Sequence, residues 1–156
     1  MIKVLISACL LGRNVKYNGC SNYNEELIKK LKELDCILYP VCPEVMGGLK
    51  VPRDPCEIVN DKVISNKGKD CTFNYQKGAI EALKICLKED IRIAILKANS
   101  PSCGNKMIYD GSFSSKLIKG MGVTSKLLSS NNIVVFNETE IDEILLKIND
   151  LKNSSK

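Results

Sequence analysis

Cys9, Cys42 and Cys103 each follow an apolar, strand-like run of residues and stand next to a turn. Ligands of open parallel sheets bind just beyond the carboxyl ends of the strands. We therefore expect three thiols that lie far apart in sequence to meet at one edge of a sheet. Thiolates are soft ligands that suit transition metals and iron–sulfur clusters, so a three-thiolate metal or cluster site is the leading hypothesis.

The acid–base chemistry open to this chain is narrow, because the sequence contains no histidine. Cys–His nucleophile pairs, Ser-His-Asp triads and most zinc-hydrolase sites are excluded. Glu44, close after Cys42, is a candidate proton shuttle, and the Ser100 hydroxyl near Cys103 is a candidate for orienting a ligand. The alternatives are an ion pair between Glu44 and Arg53 and ordinary turn chemistry at Ser100.

The other five of the eight cysteines carry no chemical assignment. Cys86 lies on the apolar face of a predicted helix and Cys36 opens a predicted strand, so both are expected in the core. Cys20, Cys56 and Cys71 fall in loops or at a helix start, and the first two leave a disulfide or redox role open. Free cysteine is often simply buried, so packed, idle thiols remain an alternative for the three candidate ligands as well.

The composition is that of an ordinary globular protein of 156 residues, with 44% hydrophobic and 26% charged residues. The formal net charge of +5 is compatible with an anionic partner. The lysines are scattered rather than aligned in one basic stripe. This favours a solvated surface over a surface that binds nucleic acid, without excluding nucleic acid. No apolar run is long enough to span a bilayer and the amino terminus lacks a signal-peptide layout, so we expect a cytoplasmic protein with no membrane partner.

Strand-like and helix-like segments alternate along the chain. Predicted strands cover 2–7, 36–41, 91–96 and 133–136, and a hairpin covers 57–64. Predicted helices cover 24–34, where Asn22 and Glu25 resemble a capping box, 72–88, whose apolar face includes Leu87, 124–130 and a segment after an N-cap at Thr139. The alternation predicts an α/β fold, a three-layer Rossmann-like or flavodoxin-like parallel sheet with helices on both faces. We expect residues 1–152 to form a single α/β cluster-binding domain and 153–156 a polar tail. Each of the three longest loops carries one candidate thiol, and long loops in compact domains are usually functional.

Several segments together resemble one bacterial family, formerly of unknown function and now associated with thiouracil desulfidases. They are SACLLG at 7–12, CPEVMGG at 42–48, PR at 52–53, SPSCG at 100–104, IYDGSF at 108–113 and GVT at 122–124. The likeness extends over residues 2–136. It implies a [4Fe-4S] cluster held by Cys9, Cys42 and Cys103, whose open iron captures the sulfur of a thiolated pyrimidine such as 2-thiouracil without net redox chemistry. Glu44 and Ser100 match the acid/base positions of the family.

The sequence also departs from the family pattern in three loop positions. Lys16 stands where the resemblance leads us to expect arginine, Asn18 where we expect aspartate, and Ser115 where we expect glycine. We interpret the chain as a cytoplasmic, iron–sulfur-dependent desulfidase that acts on a small thiolated nucleobase. The alternatives are a non-catalytic iron–sulfur or zinc-binding module and a thiol-redox protein. The sequence leaves the thiobase and the oligomeric state open, and we expect a preparation made in air to lose or replace the cluster.

Overall fold

The structure is a computed structural model that describes residues 1–154. Its strands are β1 Lys3–Ser7, β2 Ile37–Val41, β3 Cys56–Val59, β4 Lys62–Ser65, β5 Ile93–Leu96, β6 Met107–Tyr109, β7 Leu117–Lys119 and β8 Val134–Asn137. Its helices are α1 Glu25–Glu33, α2 Pro43–Met46, α3 Thr72–Glu89, α4 Val123–Ser130 and α5 Ile141–Ser154. In the described part of the chain, no helix combines the length and the apolar character needed to cross a membrane.

A parallel sheet in the order β2-β1-β5-β8 forms the centre of the molecule. If only the strands of this sheet are counted, the order is 2-1-3-4, which matches the start of the flavodoxin-like order. Val4, Leu5 and Ile6 in β1 are fully buried, as expected for a strand covered on both faces. The predicted α/β class with a parallel sheet is therefore confirmed.

Helices cover both faces of this sheet and complete three layers. Apolar side chains of α1 and α5 pack against one face, and those of α3 and α4 pack against the other. Cys86 lies in the second of these cores, as predicted, whereas Cys36 is only half-buried beside the first. The helical period also placed Leu87 in the core, but its side chain is 66% exposed, because α3 turns that edge toward solvent.

Two helix starts differ from the predicted ones. The residue that caps α1 is Asn24, whose side chain accepts a hydrogen bond from the Leu27 amide at 3.1 Å, rather than Asn22. Helix α5 begins at Ile141, because the Thr139 hydroxyl donates to Asn137 Oδ1 at 2.5 Å in a preceding turn and does not cap the helix. The same helix continues through Ser154, within the predicted polar tail, and residues 155–156 of that tail lie outside the described residues.

Sequence patterns did not reveal two short features that matter for the site. One is α2, a single helical turn that starts at Pro43 directly after Cys42. The other is the antiparallel hairpin of β6 and β7, which occupies a stretch expected to be a plain loop. Both elements are too short for a periodic apolar pattern, so only their turn residues could have indicated them.

Candidate functional site

A cavity of about 550 Å³ opens at the carboxyl edge of the parallel sheet, and Cys9, Cys42 and Cys103 all line it. They lie in the loops that follow β1, β2 and β5, three adjacent strands of the sheet. Glu44 and Ser100 line the same cavity. The structure therefore brings together all five residues that the sequence analysis singled out, at the sheet edge where they were expected.

Cys9 is fixed by a tight helical turn at the end of β1. The 3-10 turn Ala8–Leu11 ends at Gly12, whose φ of 92° requires the left-handed conformation that glycine adopts without strain. Burial raises the pKa of the Cys9 thiol, and a hydrogen bond from Asn22 opposes that rise. The Asn22 Nδ2–Cys9 Sγ distance is 3.5 Å. The amide thus supplies a donor to a sulfur that is otherwise shielded from water.

Cys42 stands at the start of α2, where Pro43 occupies the first helical turn. Burial raises the pKa of its thiol, and the backbone amides of Val45 and Glu44 act in the opposite direction. A proline is well placed at this position, since its missing N–H would be unpaired there in any case. The first turn of α2 therefore aims the sulfur of Cys42 and the carboxylate of Glu44 from one short element.

Helix α2 rests directly on the backbone of α3. A Cβ atom at Gly78 would lie 1.8 Å from the Pro43 carbonyl oxygen, and one at Gly47 would lie 1.9 Å from the Asn74 carbonyl oxygen. Both distances are far below a van der Waals contact, and the opposing atoms belong to the backbone. Only glycine at these two positions allows the approach that fixes the turn carrying Cys42.

Cys103 is the most enclosed of the three thiols, with 5% of its surface exposed. Burial is the main cause that raises its pKa, followed by the negative charge of Glu44, while a hydrogen bond with Ser7 lowers it. The negative charges that Cys9 and Cys42 carry as thiolates also raise it. Burial without a charged partner keeps such thiols protonated until a cation binds them.

The Glu44 carboxylate is held from one side. Arg53 reaches Oε2 with Nη2 at 2.8 Å and Nε at 3.1 Å, and the Tyr75 hydroxyl donates to the same oxygen at 3.3 Å. Burial alone would lower the pKa of Arg53, but the adjacent carboxylate raises it overall. The ion pair that the sequence left as an alternative is therefore present, inside the cavity rather than on an exposed loop.

Ser100 links the turn of Cys103 to Glu44. Its Oγ accepts hydrogen bonds from the amides of Ser102 at 3.0 Å and Cys103 at 3.1 Å, and it donates to Glu44 Oε1 at 3.5 Å. Ser100 thus also makes the side-chain hydrogen bonds to backbone amides that are typical of a turn, the alternative that the sequence left open. Because both amides approach the oxygen, the hydroxyl hydrogen is directed toward the carboxylate.

Three residues of the site carried no signal in the sequence. Tyr75 sits on α3 and Asn22 in the loop before α1, and only tertiary packing brings them to Glu44 and Cys9. Lys97 follows β5 directly and pairs with Glu138 at 2.9 Å along the cavity lining. Its position at a strand end is the one feature that could have indicated it.

Of the five remaining cysteines, Cys56 also lines the cavity, and the other four do not. All eight cysteines belong to the described residues, and all are free thiols. Cys20 is exposed, whereas Cys56 and Cys71 share a buried cluster with Val63 and Tyr75 under the β3–β4 hairpin. Within residues 1–154, no group of three or more His, Cys, Asp or Glu side chains is arranged to hold a single metal ion.

Comparison with known proteins gives three matches. The family model for 2-thiouracil desulfurase matches residues 4–140. The uncharacterized protein YbbK of Bacillus subtilis strain 168 is 37% identical over 152 residues, which cover 91% of this chain and 99% of YbbK. A solved structure described as the [4Fe-4S]-dependent thiouracil desulfidase TudS superposes with a TM-score of 0.90 at 39% identity, covering 96% of this chain and 99% of the other.

Proposed function

Because the chain belongs to the 2-thiouracil desulfurase family, we propose that it removes sulfur from a free thiolated pyrimidine at a [4Fe-4S] cluster held by Cys9, Cys42 and Cys103. The family makes the chain an enzyme of the desulfidase class, as the sequence predicted. The observation that carries the finer proposal is the shared cavity, in which the three thiols line the same space as Glu44 and Ser100.

The donor set fits a cluster better than a single ion. Cysteine thiolates are the ligands of iron–sulfur clusters, and in a four-iron cluster each thiolate binds a different iron. Thiols around a cluster are therefore spaced more widely than the ligands of one zinc ion, which all lie within about 2.3 Å of the metal. The three cavity thiols come from three separate loops and line one cavity, which suits a cluster that each of them binds at a different iron. Three protein ligands would leave one iron free.

The cofactor would supply one element of the chemistry. When bound, a [4Fe-4S] cluster with three protein ligands offers a thiophilic iron with an open position for the sulfur of the substrate. The overall reaction exchanges that sulfur for the oxygen of water. A carbon–sulfur bond breaks, a carbon–oxygen bond forms, sulfide leaves with the two protons of the water, and no electron is gained or lost.

The contacts of Glu44 support different tasks for its two oxygens. Three hydrogen bonds from Arg53 and Tyr75 hold Oε2, so the carboxylate cannot rotate freely. Oε1 faces Ser100 and can accept a proton from a water molecule that attacks the carbon losing sulfur. The same oxygen then returns the proton to the ring or to the departing sulfur. Ser100 keeps Oε1 oriented through its single hydroxyl hydrogen.

A free base is the substrate that best suits the size of the cavity. Its volume of about 550 Å³ lies within the range typical of sites that enclose small molecules. The walls mix apolar and polar groups, and both thiols and aromatic side chains contribute to them. We therefore favour a small thiolated nucleobase over a base that remains part of a nucleic acid.

The decisive experiment is anaerobic purification and cluster reconstitution, followed by incubation with 2-thiouracil. We expect about four irons and four acid-labile sulfides per chain and equal amounts of uracil and released sulfide. Metal-free protein under the same conditions is the control and should release none. A loaded cluster without sulfide release would support a non-catalytic module, stoichiometric zinc would support a zinc-binding module, and neither metal with reversible thiol oxidation would support a redox protein.

A further inference from the structure

An aromatic side chain stands in the cavity lining in a backbone conformation that bulky residues rarely adopt. Phe113 is 39% exposed, lines the cavity and has a φ of +56°. A bulky side chain is an outlier in this left-handed region, and the conformation persists only where the surrounding structure enforces it. An enforced outlier beside a binding cavity indicates a task for its side chain.

A buried carboxylate enforces this conformation. Glu57 on β3 is 8% exposed, and its Oε1 accepts hydrogen bonds from the amides of Gly111 at 2.9 Å and Phe113 at 3.2 Å. Hydrogen bonds to a carboxylate are stronger than those between neutral groups. At Gly111, with a φ of +91°, a Cβ atom would lie 2.7 Å from the Ile58 carbonyl oxygen, so the loop rests directly on β3.

The rest of the loop between β6 and β7 is closed by its own hydrogen bonds. The Asp110 amide donates to the Lys116 carbonyl at 2.9 Å, and Asp110 Oδ1 accepts from the Ser112 amide at 2.9 Å. Ser115, which lines the cavity, has a φ of +62°, which explains why glycine is a natural residue there. The loop thus holds Phe113 in place through several independent contacts.

We propose that Phe113 is the stacking platform for the pyrimidine ring of the substrate, and that Glu57 is the positioning residue that fixes this platform. The inference rests on the proposed function, because the ring is that of the thiolated base. Aromatic side chains bind the flat faces of bases whatever their substituents. A platform of this kind orients a planar heterocycle inside the cavity that the three thiols also line. It favours thiopyrimidines as a class over non-planar thiocarbonyl compounds.

The first test separates substrate binding from turnover. Phe113→Ala should raise the KM for 2-thiouracil roughly 5- to 100-fold, the range expected for one base–aromatic stack. The kcat should change little, because the stack is made in the ground state and the transition state alike. Phe113→Tyr should retain the wild-type KM. The matched control is Phe73→Ala, since Phe73 is 75% exposed on α3 and lies outside the cavity lining.

A second test needs no turnover. The sequence contains no tryptophan, so Phe113→Trp introduces a single fluorescent indole at the proposed platform. We expect uracil, which has the ring but no sulfur, to quench this fluorescence with saturation, in cluster-loaded and metal-free protein alike. Phe73→Trp places the same probe at the control position, where uracil should have no effect.

The role of Glu57 is tested by rescue. Glu57→Ala should raise KM in the same direction as Phe113→Ala, and Glu57→Gln should restore it, because the glutamine oxygen still accepts both amide hydrogen bonds. An unchanged KM for Phe113→Ala in an enzyme that turns over, or no uracil quenching in the Phe113→Trp protein, would overturn the platform. If uracil quenches the Phe113→Trp protein with saturation but the cluster-loaded wild-type protein releases no sulfide, the proposed function is overturned and the platform stands.

Discussion

The chain buries two groups of cysteines, and their surroundings differ. The cavity thiols, Cys9, Cys42 and Cys103, follow adjacent parallel strands and face an open space. The hairpin thiols, Cys56 on β3 and Cys71 just before α3, pack in a buried cluster with Val63 and Tyr75, and Cys56 also lines the cavity. Burial raises the pKa of members of both groups, that of Cys56 to about 12. Neither burial nor a place in the cavity lining separates the two groups, whereas the position after a strand of the parallel sheet does.

The two groups are nevertheless connected through one side chain. Tyr75 lies in the cluster of the hairpin thiols, and its hydroxyl donates to Glu44 at the cavity. Burial, followed by the charges of Glu44 and Cys56, raises the pKa of Tyr75, so this hydroxyl keeps its proton. The hairpin thiols thus pack beside the tyrosine that donates to Glu44, whereas the cavity thiols follow strands of the parallel sheet.

The largest expected effect separates the two groups by metal content. Replacing Cys42 with alanine should abolish stable cluster binding after anaerobic reconstitution, because two thiolates cannot hold three irons of a four-iron cluster. Iron, acid-labile sulfide and visible absorption per chain measure the loss. The same result is expected for Cys9→Ala and Cys103→Ala.

The hairpin thiols provide the matched controls for these variants. Cys56→Ala and Cys71→Ala remove buried thiols of similar size and should keep the wild-type iron content. Loss of iron from a well-folded Cys71→Ala protein, or full iron content in Cys42→Ala, would show that the proposed ligands Cys9, Cys42 and Cys103 are wrong.

The next largest effect concerns the rate rather than the metal. Glu44→Gln should lower the rate of sulfide release roughly 100- to 10,000-fold, the usual contribution of general acid–base catalysis. Iron stoichiometry and cluster absorption should remain unchanged, because Glu44 is not a proposed ligand. Initial rates with 2-thiouracil measure the effect. If the variant works at nearly the wild-type rate, proton transfer belongs to Ser100 or to a water molecule in the cavity.

The smallest effect concerns Cys86, a buried thiol that belongs to neither group. Cys86→Ala should lower the free energy of unfolding by about 1–2 kcal/mol, as for other small cavities in a core, and should keep the iron. Chemical denaturation followed by circular dichroism measures the change. An intact fold with lost iron would contradict the assignment of this thiol to the core.

The Cys86 thiol also makes the free energy of unfolding depend on pH, in a known direction. Burial raises the pKa of Cys86 from 9.0 to about 11, so the folded state keeps a proton that the unfolded state loses. Its stabilising effect is complete below pH 9.0 and disappears as the pH rises through about 11. Cys86→Ala should therefore show a shallower loss of stability in this interval, by at most about 1.4 kcal/mol per pH unit. An identical slope in both proteins would contradict the raised pKa.

The parts of the fold that the sequence could predict are those with a long periodic or apolar signal. The run at β1 and the stripes of α1 and α3 indicated the layers, and the long loops after the strands placed the cavity thiols at one edge. The helical period gave the wrong result for Leu87, which is exposed. The period shows which face of a helix is apolar, but not where the packed neighbours end. The ligand roles of the three cysteines and the division at residue 152 stay predictions.

The contacts around Glu44 and Cys9 show what the sequence could not supply. Tyr75 reaches Glu44 only because two glycines let α2 lie on the backbone of α3, and no pattern along the chain reports that approach. Asn22 looked like a helix cap, yet its amide contacts the sulfur of Cys9. Short polar residues have several local uses, and the tertiary structure decides among them.

The order of the strands also has a consequence for the synthesis of the protein. During translation, β1 and β2 emerge first and can pair, which brings Cys9 and Cys42 together around α1. The other edge of β1 stays open until β5 has been made, and Cys103 follows later still. A nascent chain therefore presents only two of the three thiols beside an unpaired strand edge. With the proposed ligand set, a chain could complete its binding of an iron–sulfur cluster only after Cys103 has been made, late in its synthesis.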